Sequence, residues 1–415
     1  MSSPLSVRSA ARPAGMSALT VVLLLSLLLG LQPVTTDLYL PALPSITQGF
    51  GAGMPQAQLT LTALLLAFGI SQLVWGPLSD RFGRRPILMG GTAAYVLASL
   101  GSTWSPSIEA LIAWRAVQGV AMGAGVMTAR ALVRDLYQPA EGARVMSKGL
   151  TGLGVIACIS APLGGLLTDW AGWRVALGAL AAFGTVTLAF VALRLEETVA
   201  PAHRRSLHLG QLARSWVQIL RDRTFRAWSL LTIASYGGLF TFLATSSFVF
   251  IEVMGLSRTG YGLLMFSMSA SYIAGTFICR RLLTRLGLRH TVAVAGGLTL
   301  ASGLLLLILA HAGAGQPWYG PWAVMGPFYL FMLGHGVHQP CGQSGAVGPF
   351  PQMAGTASAV NGFLMMVAAF LTGGWLGRAM NGTVFPMVWG IAFWCAVIAL
   401  TAWTLVQRDG DTTSA

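Results

Sequence analysis

Asp37 is the residue of this chain best placed to do chemistry. Of twelve acidic residues in 415, it alone lies well inside a long apolar stretch, whereas Asp169 and Glu252 sit near the ends of theirs. An ionised carboxylate in hydrocarbon is costly, so it must face a cavity, find a partner or take up a proton. Arg115, inside another apolar stretch, is the natural partner. If the two stretches cross a bilayer in opposite directions, both residues fall in its outer half, with Arg115 about 10 Å along its helix at 1.5 Å per residue. Burial and a neighbouring cation act on such a carboxyl in opposite directions, so a small rearrangement could load or release a proton. The competing reading places Asp37 in the headgroup zone, with its helix starting earlier.

Other polar residues within apolar stretches are Gln32, Gln72, Gln118, His338 and Asn361. They are candidates to line a central cavity, although hydrogen bonds between helices explain each at least as well. His338 could titrate, but a satisfied structural histidine is the better reading. Tyr236, Phe240 and Phe363 could meet a lipophilic substrate, or simply pack.

A second constellation is the run Gly76-Pro77-Leu78-Ser79-Asp80-Arg81-Phe82-Gly83-Arg84-Arg85, wedged between two apolar segments in a chain with only 9% charged residues. Here Gly76 would let two helices approach, and Asp80 would cap a helix or pair with an arginine. Gly83 permits the turn, while Arg81, Arg84 and Arg85 hold it on the cytoplasmic side. A plain basic anchor would need neither the glycines nor the aspartate.

These residues must be positioned by membrane-spanning helices. The chain is 55% hydrophobic, with mean hydropathy +0.70 and 51 glycines that suit closely packed spans. Apolar runs of about 20 residues give twelve spans, near 17–45, 57–77, 87–105, 108–132, 146–169, 173–194, 225–251, 259–283, 291–312, 320–345, 353–377 and 383–406. With both termini cytoplasmic, twenty of the 25 Lys and Arg residues fall on that side and three opposite, a decisive positive-inside bias. Arg8 and Arg12 before the first run resemble a signal peptide, but no clean small-x-small site follows, so a retained first span is expected. The net charge of +13 sits in short loops without aromatic interleaving, which argues against nucleic acid. Cys158, Cys279, Cys341 and Cys395 show no metal-ligand spacing, and neither metal nor cofactor is expected.

The expected architecture is all-α, with a six-helix bundle over 1–194, a basic linker over 195–224 holding one amphipathic helix, and a second bundle over 225–415. A weak repeat supports this. Displaced by 204 positions from the first charged turn, the second keeps the counterparts of Leu78, Arg81, Gly83 and Arg85 in Leu282, Arg285, Gly287 and Arg289, with Thr284 replacing Asp80.

The charged run resembles the loop between helices 2 and 3 of the major facilitator superfamily. The stretches Thr36 to Pro44, Leu132 to Tyr137 and Met353 to Ser358 resemble, more narrowly, its bicyclomycin and chloramphenicol resistance (Bcr/CflA) group of drug:proton antiporters. Leu111 to Gly119 resembles a helix 4 pattern whose arginine, here Arg115, the resemblance associates with proton coupling. Ala161-Pro162-Leu163-Gly164-Gly165 resembles the antiporter element of helix 5, although Ala161 replaces its first glycine. Pro162, Gly164 and Gly165 could equally be a packing kink. The resemblance implies a monomeric transporter of the bacterial inner membrane that exports small, mostly neutral amphiphilic drugs in exchange for protons, with the Asp80 cluster as a cytoplasmic latch. A metabolite exporter or an uptake symporter would share the fold. Nothing suggests an enzyme or an ATP-driven pump: the single lysine, Lys148, lies in no phosphate-binding loop.

Overall fold

Proline and glycine decide where the spans begin and stop. A computed structural model describes residues 16–198, 209–313 and 315–410; Arg8, Arg12, Arg204 and Arg205 lie outside them. Helix α1 (Ala18–Asp37) starts on Ser17, whose side chain accepts from the Thr20 amide. It ends at Asp37 because Pro41, four residues on, has no N–H to give the Asp37 carbonyl and its ring crowds that oxygen. A single 3₁₀ turn, Leu40–Ala42, bridges to α2 (Leu43–Phe50), so the run expected as one span is broken just after Asp37.

Helix α3 (Met54–Phe82) continues through Asp80 and Arg81, and α4 (Arg84–Thr103) starts two residues later. The charged run is therefore the end of one helix and the start of the next, joined at Gly83. Its φ of 102° is open to glycine and strained for any other residue. The first six spans are completed by α5 (Ile108–Leu136), α6 (Pro139–Ala171) and α7 (Trp173–Arg194). Helix α8 (Leu209–Arg221) lies in the expected linker and turns Leu212, Trp216 and Ile219 to one face, with Ile219 buried.

The second six begin with α9 (Arg223–Ser247), extended by a π-helical turn at Phe248–Val253. Helix α10 (Arg258–Gly313) is two spans meeting at Gly287, whose φ of 70° mirrors Gly83. Its first limb, residues 258–286, matches α3 position for position under the 204 shift. Helices α11 (Pro321–Val347), α12 (Ala354–Ala379) and α13 (Phe385–Trp403) follow, and a last turn, α14 (Leu405–Asp409), ends the described chain. The result is twelve spans in two pseudo-symmetric bundles. Nine described helices are apolar and long enough to cross a membrane, α10 counting once. The other two spans are α4, which opens on two arginines, and α11.

The bundles meet along two seams, α3 with α12 and α6 with α10. Their arrangement leaves a space between them that Asp37 enters from the end of α1.

Candidate functional site

Asp37 faces a central cavity made of two chambers. The first, of about 330 Å³, is lined by Asp37, Thr36, Phe240, Leu243 and Met268 among others. The second, of about 490 Å³, is lined by Gln72, Arg130, Gln339, Gln343 and Asn361 among others. Gln32, Tyr236, Leu239, Tyr272 and His335 line both, so the chambers are contiguous. Asp37 accepts a hydrogen bond from Thr36 Oγ1 at 2.8 Å. Among the described residues it forms no ion pair.

The expected pairing of Asp37 with Arg115 is therefore not made. Arg115 is fully buried within the first bundle and spends its donors elsewhere. Its Nη2 donates to the Thr35 carbonyl at 3.1 Å, its Nη1 to Gln118 Oε1 at 2.7 Å and its Nε to the Thr60 carbonyl at 3.4 Å. The guanidinium also lies 4.1 Å from the centroid of the Tyr39 ring. The physical reason is the break in α1. A helix end leaves carbonyls without partners and carries partial negative charge, and a cation there satisfies both. Arg115 thus fastens the broken end of α1 to α3, two residues from Asp37 but on the other face.

Gln118 is likewise withdrawn from the cavity: its Nε2 donates to Ser99 Oγ at 2.7 Å. His338 is buried in the second bundle and lines neither chamber. One turn earlier, His335 takes that place, its Nδ1 2.8 Å from Ser235 Oγ and its ring stacked on Phe331. Phe363 also lies outside, its backbone packed where α12 passes Gly69. Gln32, Gln72, Tyr236, Phe240 and Asn361 do line the cavity, and Asn361 Oδ1 accepts from Thr232 Oγ1 at 3.0 Å.

The Asp80 cluster is a network inside the first bundle. Arg84, 5% exposed, meets Asp80 at 2.6 Å and Asp135 of α5 at 2.8 Å, and donates to Ser79 Oγ at 2.6 Å. Glu197 accepts from the backbone amides of Arg84 and Arg85 at 2.9 and 3.2 Å, capping α4 in the role expected of Asp80. Arg85 reaches the Ala192 carbonyl at 3.2 Å, and Arg81 is exposed beside Phe82. No described contact of this cluster crosses to the second bundle, so it is no latch in this conformation. Gly76, expected at a close approach, has open space beside it.

At the opposite end the bundles are tied together. Asp169 at the end of α6 contacts Arg258 at 3.2 Å and accepts from the Thr259 amide and hydroxyl at 2.9 and 2.8 Å. Arg258 Nε donates to Ser45 Oγ at 2.8 Å, Gln48 to Glu252 at 3.1 Å and Gln58 to the Ala244 carbonyl at 2.6 Å. Beneath these ties, α6 runs on through Pro162, and Gly164 and Gly165 lie where a Cβ would overlap the Leu38 and Arg258 carbonyl oxygens. These two glycines let α6 touch both the broken end of α1 and the start of α10.

The chain, a multi-pass helical protein with a central cavity sealed at one end, belongs to the major facilitator superfamily of transporters, whose pattern matches residues 25–373. It is 30% identical to the uncharacterised MFS-type transporter YdgK of Bacillus subtilis (strain 168), over 96% of this chain and 98% of that one. It is 28% identical to a bicyclomycin resistance protein homolog of Haemophilus influenzae, over 93% and 96% of the two chains. Against a chloramphenicol resistance protein of Pseudomonas aeruginosa it is 28% identical, over 92% and 89%. In fold it resembles the crystal structure of a D-xylose–proton symporter, with a TM-score of 0.73 at 14% identity, covering 96% of this chain and 99% of that one.

Proposed function

We propose that the protein exports small amphiphilic antimicrobials of the phenicol and bicyclomycin type from bacteria in exchange for protons. The observation that carries this reading is Asp37: a carboxylate at a helix break, facing an amphipathic cavity with no described cation paired to it. Such a group can exchange a proton with whatever occupies the cavity. The resistance named for two relatives supports the direction and the substrate class.

The protein acts as a monomer in the inner membrane, with both termini and the Arg84 cluster cytoplasmic. The described conformation is then sealed towards the periplasm by Asp169, Arg258 and their neighbours. Protonation of Asp37 from the periplasm displaces drug, the units 1–194 and 225–415 rock, and the proton leaves inward as new drug binds. Pro162, Gly164 and Gly165 form the seam on which that rocking turns, and Arg115 holds Asp37 in place. Each proton supplies about 2.3 kcal/mol per 100 mV, and a tenfold pH gradient about 1.4 kcal/mol, enough to sustain a useful drug gradient.

The test is a resistance panel in a pump-deficient host, with and without a protonophore, comparing the parent protein with Asp37→Asn at equal membrane expression. Protection that a protonophore abolishes and that Asp37→Asn loses is expected. Full protection by the variant would remove Asp37 from the mechanism, and protonophore-insensitive export would remove the proton.

A further inference from the structure

Arg130 is a charge that neither the helix break nor the cytoplasmic cluster uses. It lies on α5 and lines the second chamber, where its side chain is exposed to the cavity and not packed into a bundle. Its one described hydrogen bond runs from Nη1 to Ser358 Oγ of α12, at a long 3.4 Å. No described acidic residue pairs with it. One turn further along, Arg134 lies against Gly355 at the start of α12, so a second cation stands behind the first at the chamber's mouth.

A basic residue that only fixes topology belongs among headgroups at a span's end. Arg130 instead points between the bundles. Around it stand amides and hydroxyls, among them Gln72, Gln339, Gln343 and Asn361. Several already donate or accept within the wall: Gln339 to the Thr232 carbonyl at 3.1 Å, Gln343 to Gln339 at 3.2 Å. The guanidinium is left with most of its five donors free, in a fork that matches a planar two-oxygen acceptor. Tyr236 and Leu239 border both its chamber and that of Asp37, and Phe240 borders the latter.

We infer that Arg130 anchors the polar end of the substrate, and that the cavity favours amphiphiles carrying a carboxylate or comparable two-oxygen acceptor at one end. The inference rests on the export reading for the cavity's use, and it adds a substrate class. The apolar body lies along Tyr236 and Phe240, and the acceptor end points towards the chamber that holds Arg130. A neutral phenicol offers that fork no charged acceptor, whereas a carboxylate meets it with a full charge and two oxygens.

The probes are chloramphenicol and its hemisuccinate, which adds a carboxylate to the same body. Binding of each to the purified full-length protein is measured by calorimetry for the parent, Arg130→Gln and Arg130→Lys. The parent is expected to bind the hemisuccinate about tenfold more tightly than chloramphenicol. Arg130→Gln should erase that preference while changing chloramphenicol affinity less than about threefold, and Arg130→Lys should keep part of it. A parent protein without preference for the carboxylate, or an Arg130→Gln protein that retains it, overturns the inference. The export reading fails separately: it falls if the parent confers no resistance in cells, whatever the carboxylate preference of the purified protein.

Discussion

At the scale of single residues, Arg115 and Asp37 divide work that the sequence assigned to one pair. Arg115 is structural, a buried cation held by two carbonyls, an amide oxygen and an aromatic face. Arg115→Ala would strip three buried acceptors of their donor, at about 1–3 kcal/mol for each group left unsatisfied. The expected result is a clear fall in the thermal midpoint of the purified protein, with Arg115→Lys intermediate. A variant of unchanged thermal stability would refute the fastening role. Asp37 was legible because a carboxylate inside a span has few excuses. Which histidine faces the cavity was not: α11 has no distinct apolar face, so periodicity cannot choose between His335 and His338. Asp135 lies inside the stretch Leu132 to Tyr137 and Glu197 at the start of the expected linker, but only the fold brings α5 and the segment after α7 to Arg84. Arg130 left one signal, its position one turn inside Arg134.

At the scale of elements, the turn at Gly83 was legible, since glycine amid charge marks a reversal. The extension of α3 to Phe82 was not, because the apolar run ends at 77, five residues before the helix does. The break in α1 follows from Pro41, yet it was hidden by the apolar run that spans it. Gly165 makes the sharpest prediction here. Its contact is backbone against backbone, so no rotamer change can relieve an added methyl. Gly165→Ala should push α6 from the start of α10 and favour opening at the Asp169 end. An overpacking cost of about 1–3 kcal/mol corresponds to a shift of roughly 5- to 150-fold. In a cysteine-free background, Gln48→Cys should be labelled faster from outside in the Gly165→Ala protein. Unchanged labelling would show that the seam yields elsewhere.

At the scale of the whole molecule, the described conformation is tied at the Asp169 end and slack at the other. Along the α3–α12 seam, Gly377 lies by Pro55, Gly373 by Thr62, Met366 by Gly69 and Gly362 by Gln72. The same register would bring Gly76 opposite Ser358, but a Cβ placed at Gly76 would meet nothing within 4 Å. The Asp169–Arg258 pair is partly exposed, with side chains 29% and 34% accessible, so its worth is modest, on the order of 0.5 kcal/mol. Asp169→Asn also keeps an acceptor for Thr259. It should therefore widen the Asp169 end only about twofold in population, well short of the Gly165→Ala effect. Spin-label distances across that end measure both, and a larger response to Asp169→Asn would reverse the ranking of charge and packing. The twelve-span layout needed only hydropathy and charge to read. Which end is shut was beyond it, because closure depends on contacts between bundles that sequence pattern does not encode.

The shift of 204 positions that carries Gly83 onto Gly287 also carries Gln48 onto Glu252, and these two hydrogen-bond to each other. It carries Gln32 onto Tyr236 as well, and both of these border both chambers. Points exchanged by a two-fold rotation lie at equal distances on opposite sides of its axis, so a pair in contact must straddle that axis. The pseudo-symmetry axis therefore threads the chambers between Gln32 and Tyr236 and leaves the molecule between Gln48 and Glu252. A molecule travelling along it would pass, at the exit, between two versions of one repeat position, one now an amide donor and the other a carboxylate acceptor.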